Sequence, residues 1–203
     1  MGDAVKVVAI VGSYRKGGMV DQVVDAVLAG ATEAGARVEK VYLLDTHVEF
    51  CTNCRLCTQT PGGARGICPV ADEMARVLDL VEGCQALVLA SPTNFGSVTA
   101  LTKRFVERLV CYAYWPWGVP APKVRSNEKP RRAVLVAASA APGFLARLFT
   151  PVLKTLRQSA ELLGAKCVGT LFVGLAAKEE RQDAGRRVLE KARVMGQRLG
   201  TGR

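Results

Sequence analysis

Short apolar runs alternate along the chain with longer segments in which apolar residues recur every three or four positions. Residues 5–11 are almost wholly apolar, which is typical of a strand buried on both faces of a parallel sheet. Residues 19–34 then place their apolar side chains on one helical face. Gly35 follows where a glycine commonly ends a helix. The chain therefore begins with a predicted strand and helix.

The same alternation continues through five strand-helix units. Further strands are predicted at about 37–43, 86–90, 133–138 and 167–173, and further helices at 72–82, 98–110, 145–163 and 179–199. This alternation predicts an α/β fold with a doubly wound parallel sheet and right-handed crossovers. The 203 residues show no internal repeat, so we expect one domain over residues 1–203. Two connections, at about 44–71 and 111–130, exceed the usual length of a plain loop and indicate functional or disordered segments.

Composition narrows the class of protein. No apolar run approaches the roughly 20 residues of a membrane-spanning helix. The first residues lead straight into a strand, without the apolar core of a signal peptide. We therefore expect a cytoplasmic protein with no membrane partner. Seven cysteines, an odd number in a reducing compartment, favour metal binding or redox chemistry over a disulfide framework.

The chain is basic, with 28 Lys and Arg against 18 Asp and Glu, a net charge of +10. The excess lies mostly after the midpoint of the sequence. It is not interleaved with aromatic residues in a known nucleic-acid motif, so nucleic-acid binding is not expected. A positive field also suits anionic nucleotide cofactors or an acidic redox partner.

Four cysteines of the first long connection form the pattern C-x2-C-x2-C, followed after ten residues by C-P; they are Cys51, Cys54, Cys57 and Cys68. Four thiolates from one loop can hold an iron–sulfur cluster or a zinc ion. Two C-x-x-C steps that share a cysteine favour a [4Fe–4S] cluster, because zinc sites usually use two separate pairs. Zinc, and thiols without a metal, remain alternatives. The other three cysteines, Cys84, Cys111 and Cys167, are predicted to be buried structural thiols.

In open α/β sheets, ligands bind at the carboxyl ends of the strands. The first strand ends in GSYRKGGM, residues 12–19, which brings a hydroxyl, an arginine and two glycines to a helix N-terminus and so suits a phosphate. Gly18 and Met19 stand where a nucleoside-triphosphate loop requires Lys and Ser or Thr, which excludes that class. The G-x-G-x-x-G fingerprint of dinucleotide sites is also missing. A ligand with a single phosphate, such as FMN, remains as the candidate for this loop.

The third strand ends in SPTNFGS, residues 91–97. Small and glycine-rich sequences expose main-chain amides that can bind the edge of a flavin ring, and Phe95 can lie against that ring. Together with the phosphate loop, this segment predicts a flavin site.

From about residue 5 to residue 173 the chain resembles the NAD(P)H-dependent FMN reductases of the flavodoxin-like superfamily, and among them the iron–sulfur flavoproteins. The resemblance depends on GSYRKGG, on the cysteine pattern before Asp72, and on SPTNFGSVTALTKRFVERL, whose helix fits K-x-F-x-[DE]-R. It implies a three-layer sandwich with a five-stranded parallel sheet in the order 2-1-3-4-5 and helices on both faces.

The resemblance also implies the cofactors and their contacts. The FMN phosphate would be held by Ser13, Arg15, Gly17, Gly18, Met19 and Val20, and the ring by Pro92, Thr93, Asn94, Phe95 and Gly96, with Ser139 to Gly143 beside it. The family usually carries Asn and Thr or Ser at positions 19 and 20, so backbone amides must replace those side chains here. The four loop cysteines would hold the [4Fe–4S] cluster, although ten residues between the third and fourth is longer than the family's usual spacing.

The function that follows is electron transfer from NAD(P)H, as a transient co-substrate, or from a reduced carrier through FMN to a small acceptor. The flavin carries the chemistry, so no catalytic acid or base is expected from the protein. The family also implies a homodimer or homotetramer. The alternatives are an electron-transfer flavoprotein that partners an acidic carrier such as ferredoxin, and a thiol or zinc module without flavin.

Overall fold

The computed structural model describes residues 4–180 and 182–201, without the side chains of Ala146 and Arg147. Its strands are β1 Lys6–Val11, β2 Arg37–Tyr42, β3 Ala86–Asn94, β4 Ser97–Val98, β5 Ala113–Tyr114, β6 Lys123–Val124, β7 Arg131–Ala138 and β8 Ala165–Val173. Its α-helices are α1 Met19–Glu33, α2 Met74–Glu82, α3 Ala100–Arg108, α4 Gly143–Phe149, α5 Val152–Leu162 and α6 Arg186–Gly200. Short 3₁₀ helices span Leu56–Thr58 and Leu109–Tyr112.

Five parallel strands form the main sheet in the order β2-β1-β3-β7-β8, which confirms the predicted topology. One apolar cluster joins the sheet to α1 and α6, and a second joins its other face to α2, α3 and α5. Apolar side chains on both faces of β1, β3 and β7 are therefore buried, which explains their continuous apolar sequences. The result is three layers with the carboxyl ends of the strands at one edge.

Several predicted bounds were wrong. The predicted helix at 145–163 is two helices, α4 and α5, because Pro151 begins the second and cannot continue the first. The last helix begins at Arg186 rather than about 179, after the N-cap Gly185. Arg181, in the predicted range, lies outside the described residues. The third strand runs on to Asn94 and turns back into β4.

The two long connections lie beside each other. We call residues 44–71 the cysteine loop and residues 111–130 the aromatic loop. The aromatic loop contains its own two-stranded antiparallel sheet, β5 and β6. Over the described residues, no helix is long and apolar enough to cross a membrane.

Candidate functional site

The glycine-rich loop, residues 12–18, leaves β1 and leads into α1. Ser13 is buried, and its hydroxyl accepts the backbone N–H of Arg15 at 3.1 Å, which closes the first turn of the loop. Gly17 has a φ of +72°, a left-handed conformation that favours glycine. Gly18 is the N-cap of α1 and no side chain caps the helix there. The partial positive charge of the helix N-terminus therefore faces this loop.

Met19 and Val20 begin α1, and both side chains are buried in the apolar cluster under the sheet. Their side chains therefore lie in the core rather than at the loop. The contacts that these positions can offer a phosphate are backbone N–H groups alone.

The β3–β4 hairpin carries the second predicted segment. Thr93 pairs with Val98 and Asn94 with Ser97, which leaves Phe95 and Gly96 as the two turn residues. Both have positive φ, +47° and +75°, as a tight hairpin turn requires. Phe95 is bulky for such a conformation and its ring is fully exposed at the carboxyl edge of the sheet.

The loop and the hairpin are joined by Thr99, the N-cap of α3. Its hydroxyl donates to the Gly12 carbonyl at 2.6 Å, and its backbone N–H donates to the Ser91 hydroxyl at 3.1 Å. On the other side, β3 pairs with β7 so that Pro92 lies opposite Ala138, the residue before Ser139. The fold therefore brings the three predicted FMN segments to one edge, the third continuing to Gly143 at the start of α4.

Two structural features of these residues fit an FMN molecule. The N-terminus of α1 has no side-chain cap, and around Gly17 there is open space where a side chain would stand. In the hairpin, the Thr93 hydroxyl is buried and has no hydrogen-bond partner in the part of the chain that the structure describes. A ligand that carries a phosphate and a polar ring edge can satisfy both features.

All four cysteines of the C-x2-C-x2-C and C-P pattern line one cavity, together with Arg55 and Arg108. Residues 4–180 and 182–201 contain no group of three or more His, Cys, Asp or Glu side chains arranged to hold a metal ion. The donor set fits an iron–sulfur cluster by its chemistry, since thiolates are the ligands that such clusters take.

The thiols differ in their electrostatic surroundings. Burial, and then the neighbouring thiols of Cys68, Cys51 and Cys54, raise the pKa of Cys57. Cys54 is exposed, and hydrogen bonds from the backbone of Leu56 and from Thr52 lower the pKa of its thiol. The four thiols are thus close enough to influence one another.

A buried ion pair lies against this cavity. The Arg108 Nη1 atom is 2.5 Å from Asp72 Oδ2 and 2.9 Å from the Glu49 carbonyl oxygen. Its Nη2 atom is 3.5 Å from the Cys68 sulfur. Burial acts to raise the pKa of Asp72, but the hydrogen bonds from Arg108 and from two backbone N–H groups outweigh it and hold that pKa below its usual range.

The aromatic loop packs on the cysteine loop. The Arg55 guanidinium lies between two indole rings, 3.7 Å from the Trp115 centroid and 4.2 Å from that of Trp117. It also donates to the Trp115 carbonyl at 2.6 Å. Arg125 donates to the Cys57 carbonyl at 3.0 Å and to that of Thr60 at 2.8 Å. Trp115 and Trp117 therefore pack the aromatic loop on the cysteine loop.

Sequence reasoning assigned no role to Arg55 or Arg125 and no partner to Arg108. Arg108 belongs to the K-x-F-x-[DE]-R helix, so a signal for it was present, but its partner is 36 residues away in the chain. Arg55 meets a carbonyl 60 residues away. Such contacts depend on how the loops fold together and leave no local pattern.

The sequence is similar to known flavoproteins. The family model described as NADPH-dependent FMN reductase matches residues 5–180. The chain is 37% identical over 111 residues to an iron–sulfur flavoprotein of Archaeoglobus fulgidus, covering 55% of this chain and 48% of that protein. It is 26% identical over 105 residues to an iron–sulfur flavoprotein of Methanosarcina thermophila, covering 52% of each. The matches span about half the length of these relatives.

Solved structures share the fold. An NAD(P)H:quinone oxidoreductase from Methanothermobacter marburgensis superposes with a TM-score of 0.68 at 16% identity, over 98% of both chains. An FMN-dependent NADH-azoreductase from Bacillus anthracis gives a TM-score of 0.71 at 13% identity, over 96% of this chain and 99% of that one. A flavodoxin from the Archaea, with a TM-score of 0.56 at 8% identity over 96% of each chain, shows the same flavodoxin-like fold.

Proposed function

The chain belongs to the NADPH-dependent FMN reductase family, and on that premise we propose that it is an oxidoreductase that moves electrons from NAD(P)H or a reduced carrier to a small acceptor, such as a quinone or a flavin. The observation that carries the proposal is the junction of the uncapped α1 N-terminus with the β3–β4 hairpin through Thr99. This junction offers a phosphate site and a ring site on neighbouring strands.

When bound, FMN supplies hydride and one-electron chemistry. The chain's own part is to bind and orient it. Backbone N–H groups of Met19 and Val20 would hold the phosphate, since no side chain there competes for them. The Thr93 hydroxyl and the exposed Phe95 ring would contact the isoalloxazine. No protein acid or base is required.

We also propose that the four cysteines of the cysteine loop hold a [4Fe–4S] cluster. Support comes from their shared cavity and from the iron–sulfur flavoproteins to which the chain is similar. Arg108 places a buried guanidinium beside Cys68, with its Nη2 atom 3.5 Å from the sulfur. The cavity lies at the C-terminal end of α3, and the β3–β4 hairpin lies at the N-terminal end of the same helix.

The expected result for protein purified without oxygen is a coloured preparation that releases FMN on heating and oxidises NADH or NADPH when a quinone is supplied. Bleaching of the flavin by NAD(P)H with turnover supports the enzyme. Bleaching by reduced ferredoxin alone, without turnover, supports an electron carrier. That alternative is favoured by the net charge of +10, which suits an acidic partner. A colourless protein contradicts both and leaves a thiol or zinc module.

We further propose that the chain forms a homodimer or homotetramer. Near the carboxyl edge of the sheet, α4 exposes the large apolar side chains of Phe144, Leu148 and Phe149, and the hairpin exposes Phe95. Exposed apolar patches of this kind mark association surfaces. Light scattering is expected to give at least twice the 21.7 kDa mass of one chain. The variant Leu148→Glu should lower the mass, whereas Val194→Glu on α6 should not, and a wild-type mass of one chain contradicts the proposal.

A further inference from the structure

A buried carboxylate lies directly under the glycine-rich loop. Asp21 is the third residue of α1 and is only 2% exposed. Its Oδ2 atom accepts the backbone N–H of Gly17 at 2.6 Å and the Tyr42 hydroxyl at 3.1 Å. An acidic residue in the first turn that reaches back to an N–H before the helix resembles half of a capping box. Asp21 therefore holds Gly17 in the left-handed conformation that shapes the loop.

The counter-charge for Asp21 comes from β2. The Lys40 ammonium nitrogen is 2.5 Å from Asp21 Oδ1 and 2.5 Å from Asp25 Oδ1. Asp21 Oδ1 is buried, so its close contact with the ammonium of Lys40 is shielded from water. Partial burial acts to lower the pKa of Lys40, but Asp21, Asp25 and Tyr42 outweigh that effect and raise it. The ammonium is thus charged and fixed in place.

A phosphate bound at the loop would be repelled by Asp21, and Lys40 carries the positive charge that lies against this carboxylate. A phosphate bound at the loop and the Asp21 carboxylate under it would both contact the same short stretch of backbone. Both groups are negatively charged. Like charges in a partly buried site repel strongly, because little water screens them. The Lys40 side chain is only 16% exposed, so its charge is poorly screened as well.

We propose that Lys40 is a positioning residue whose ammonium charge neutralises Asp21 and so lets the loop at residues 12–18 accept the phosphate of FMN. Lys40 lies on β2 and not in the loop itself. The inference rests on the proposed function, because it assumes that the loop binds a flavin phosphate. A merely structural role would act on flavin binding as a whole, whereas charge compensation acts on the phosphate alone.

The test compares FMN with riboflavin, which lacks the phosphate. The full-length protein is equilibrated with each flavin at low ionic strength, and free flavin is separated by ultrafiltration and read by fluorescence. Lys40→Met is expected to weaken FMN binding roughly tenfold to thirtyfold, with riboflavin binding unchanged. The matched control is Lys6→Met, which removes the same charge from the partly exposed ion pair with Glu39.

Two further variants separate charge from packing. Lys40→Arg keeps the charge, and Asp21→Asn with Lys40→Met removes both charges while an amide oxygen can still accept the Gly17 N–H; both are expected to recover most of the FMN affinity. Equal weakening of FMN and riboflavin by Lys40→Met, or no weakening of FMN, would overturn the inference. Wild-type protein that fails to bind FMN instead contradicts the proposed function itself.

Discussion

Anaerobically purified Cys54→Ala protein is expected, on the proposal of a [4Fe–4S] cluster, to contain far less iron and acid-labile sulfide than the wild type and to lack the broad visible absorbance of a cluster. A [4Fe–4S] cluster takes four protein ligands, one for each iron. Outer-shell partners of metal ligands are already worth about 10–100-fold in metal affinity, so loss of a ligand should lower iron content roughly tenfold or more. Iron and sulfide assays measure the change.

Cys54 is the best position for this test because its side chain is exposed, whereas that of Cys57 is buried in the core. Removing Cys54 should therefore leave the fold intact. The matched control is Cys167→Ala, which removes one half-buried thiol from β8, outside the cysteine loop. Equal iron in the two variants contradicts the cluster, and zinc in place of iron in the wild type supports the zinc alternative.

The sheet could be predicted from the sequence because strands that are buried on both faces have continuous apolar sequences. β1, β3 and β7 contain continuous apolar runs at residues 7–11, 86–90 and 133–138, and the helices between them repeat at a helical period. The order of the strands came from the resemblance rather than from the pattern. The common location of the three predicted FMN segments followed, since the carboxyl ends of parallel strands meet at one edge.

What the sequence could not show are the contacts between distant segments. The prediction ended the third strand at Ala90, because Pro92 and the small residues that follow read as a loop. The hairpin exists because Phe95 and Gly96 adopt positive φ, a property with no strong local signal at a phenylalanine. The stacking of Arg55 on Trp115 and Trp117 likewise joins two loops whose proximity is set by the tertiary fold alone.

The Arg108→Met variant is expected to lower the free energy of unfolding by about 3–5 kcal/mol, because it leaves the Asp72 carboxylate buried without its counter-charge. The two side chains are 2% and 1% exposed, so water cannot replace the lost partner. Urea denaturation followed by circular dichroism measures the loss. The control is Lys103→Met on the same helix, whose pair with Glu107 is exposed and should be worth less than about 1 kcal/mol.

Two further measurements tie this loss to the ion pair rather than to a cavity. Adding Asp72→Asn to Arg108→Met should recover part of the stability, since no buried charge then lacks a partner. The wild type should also lose stability as the pH falls. The pKa of Asp72 is lower in the folded state than in the unfolded chain. The Asp72 carboxylate therefore stabilises the folded state fully above about pH 4, the ordinary carboxyl pKa. This stabilisation disappears as the pH falls through the folded-state pKa. Arg108→Met should flatten that dependence. If the double variant is less stable than Arg108→Met and the pH dependence persists, packing rather than charge is what Arg108 contributes beside Cys68.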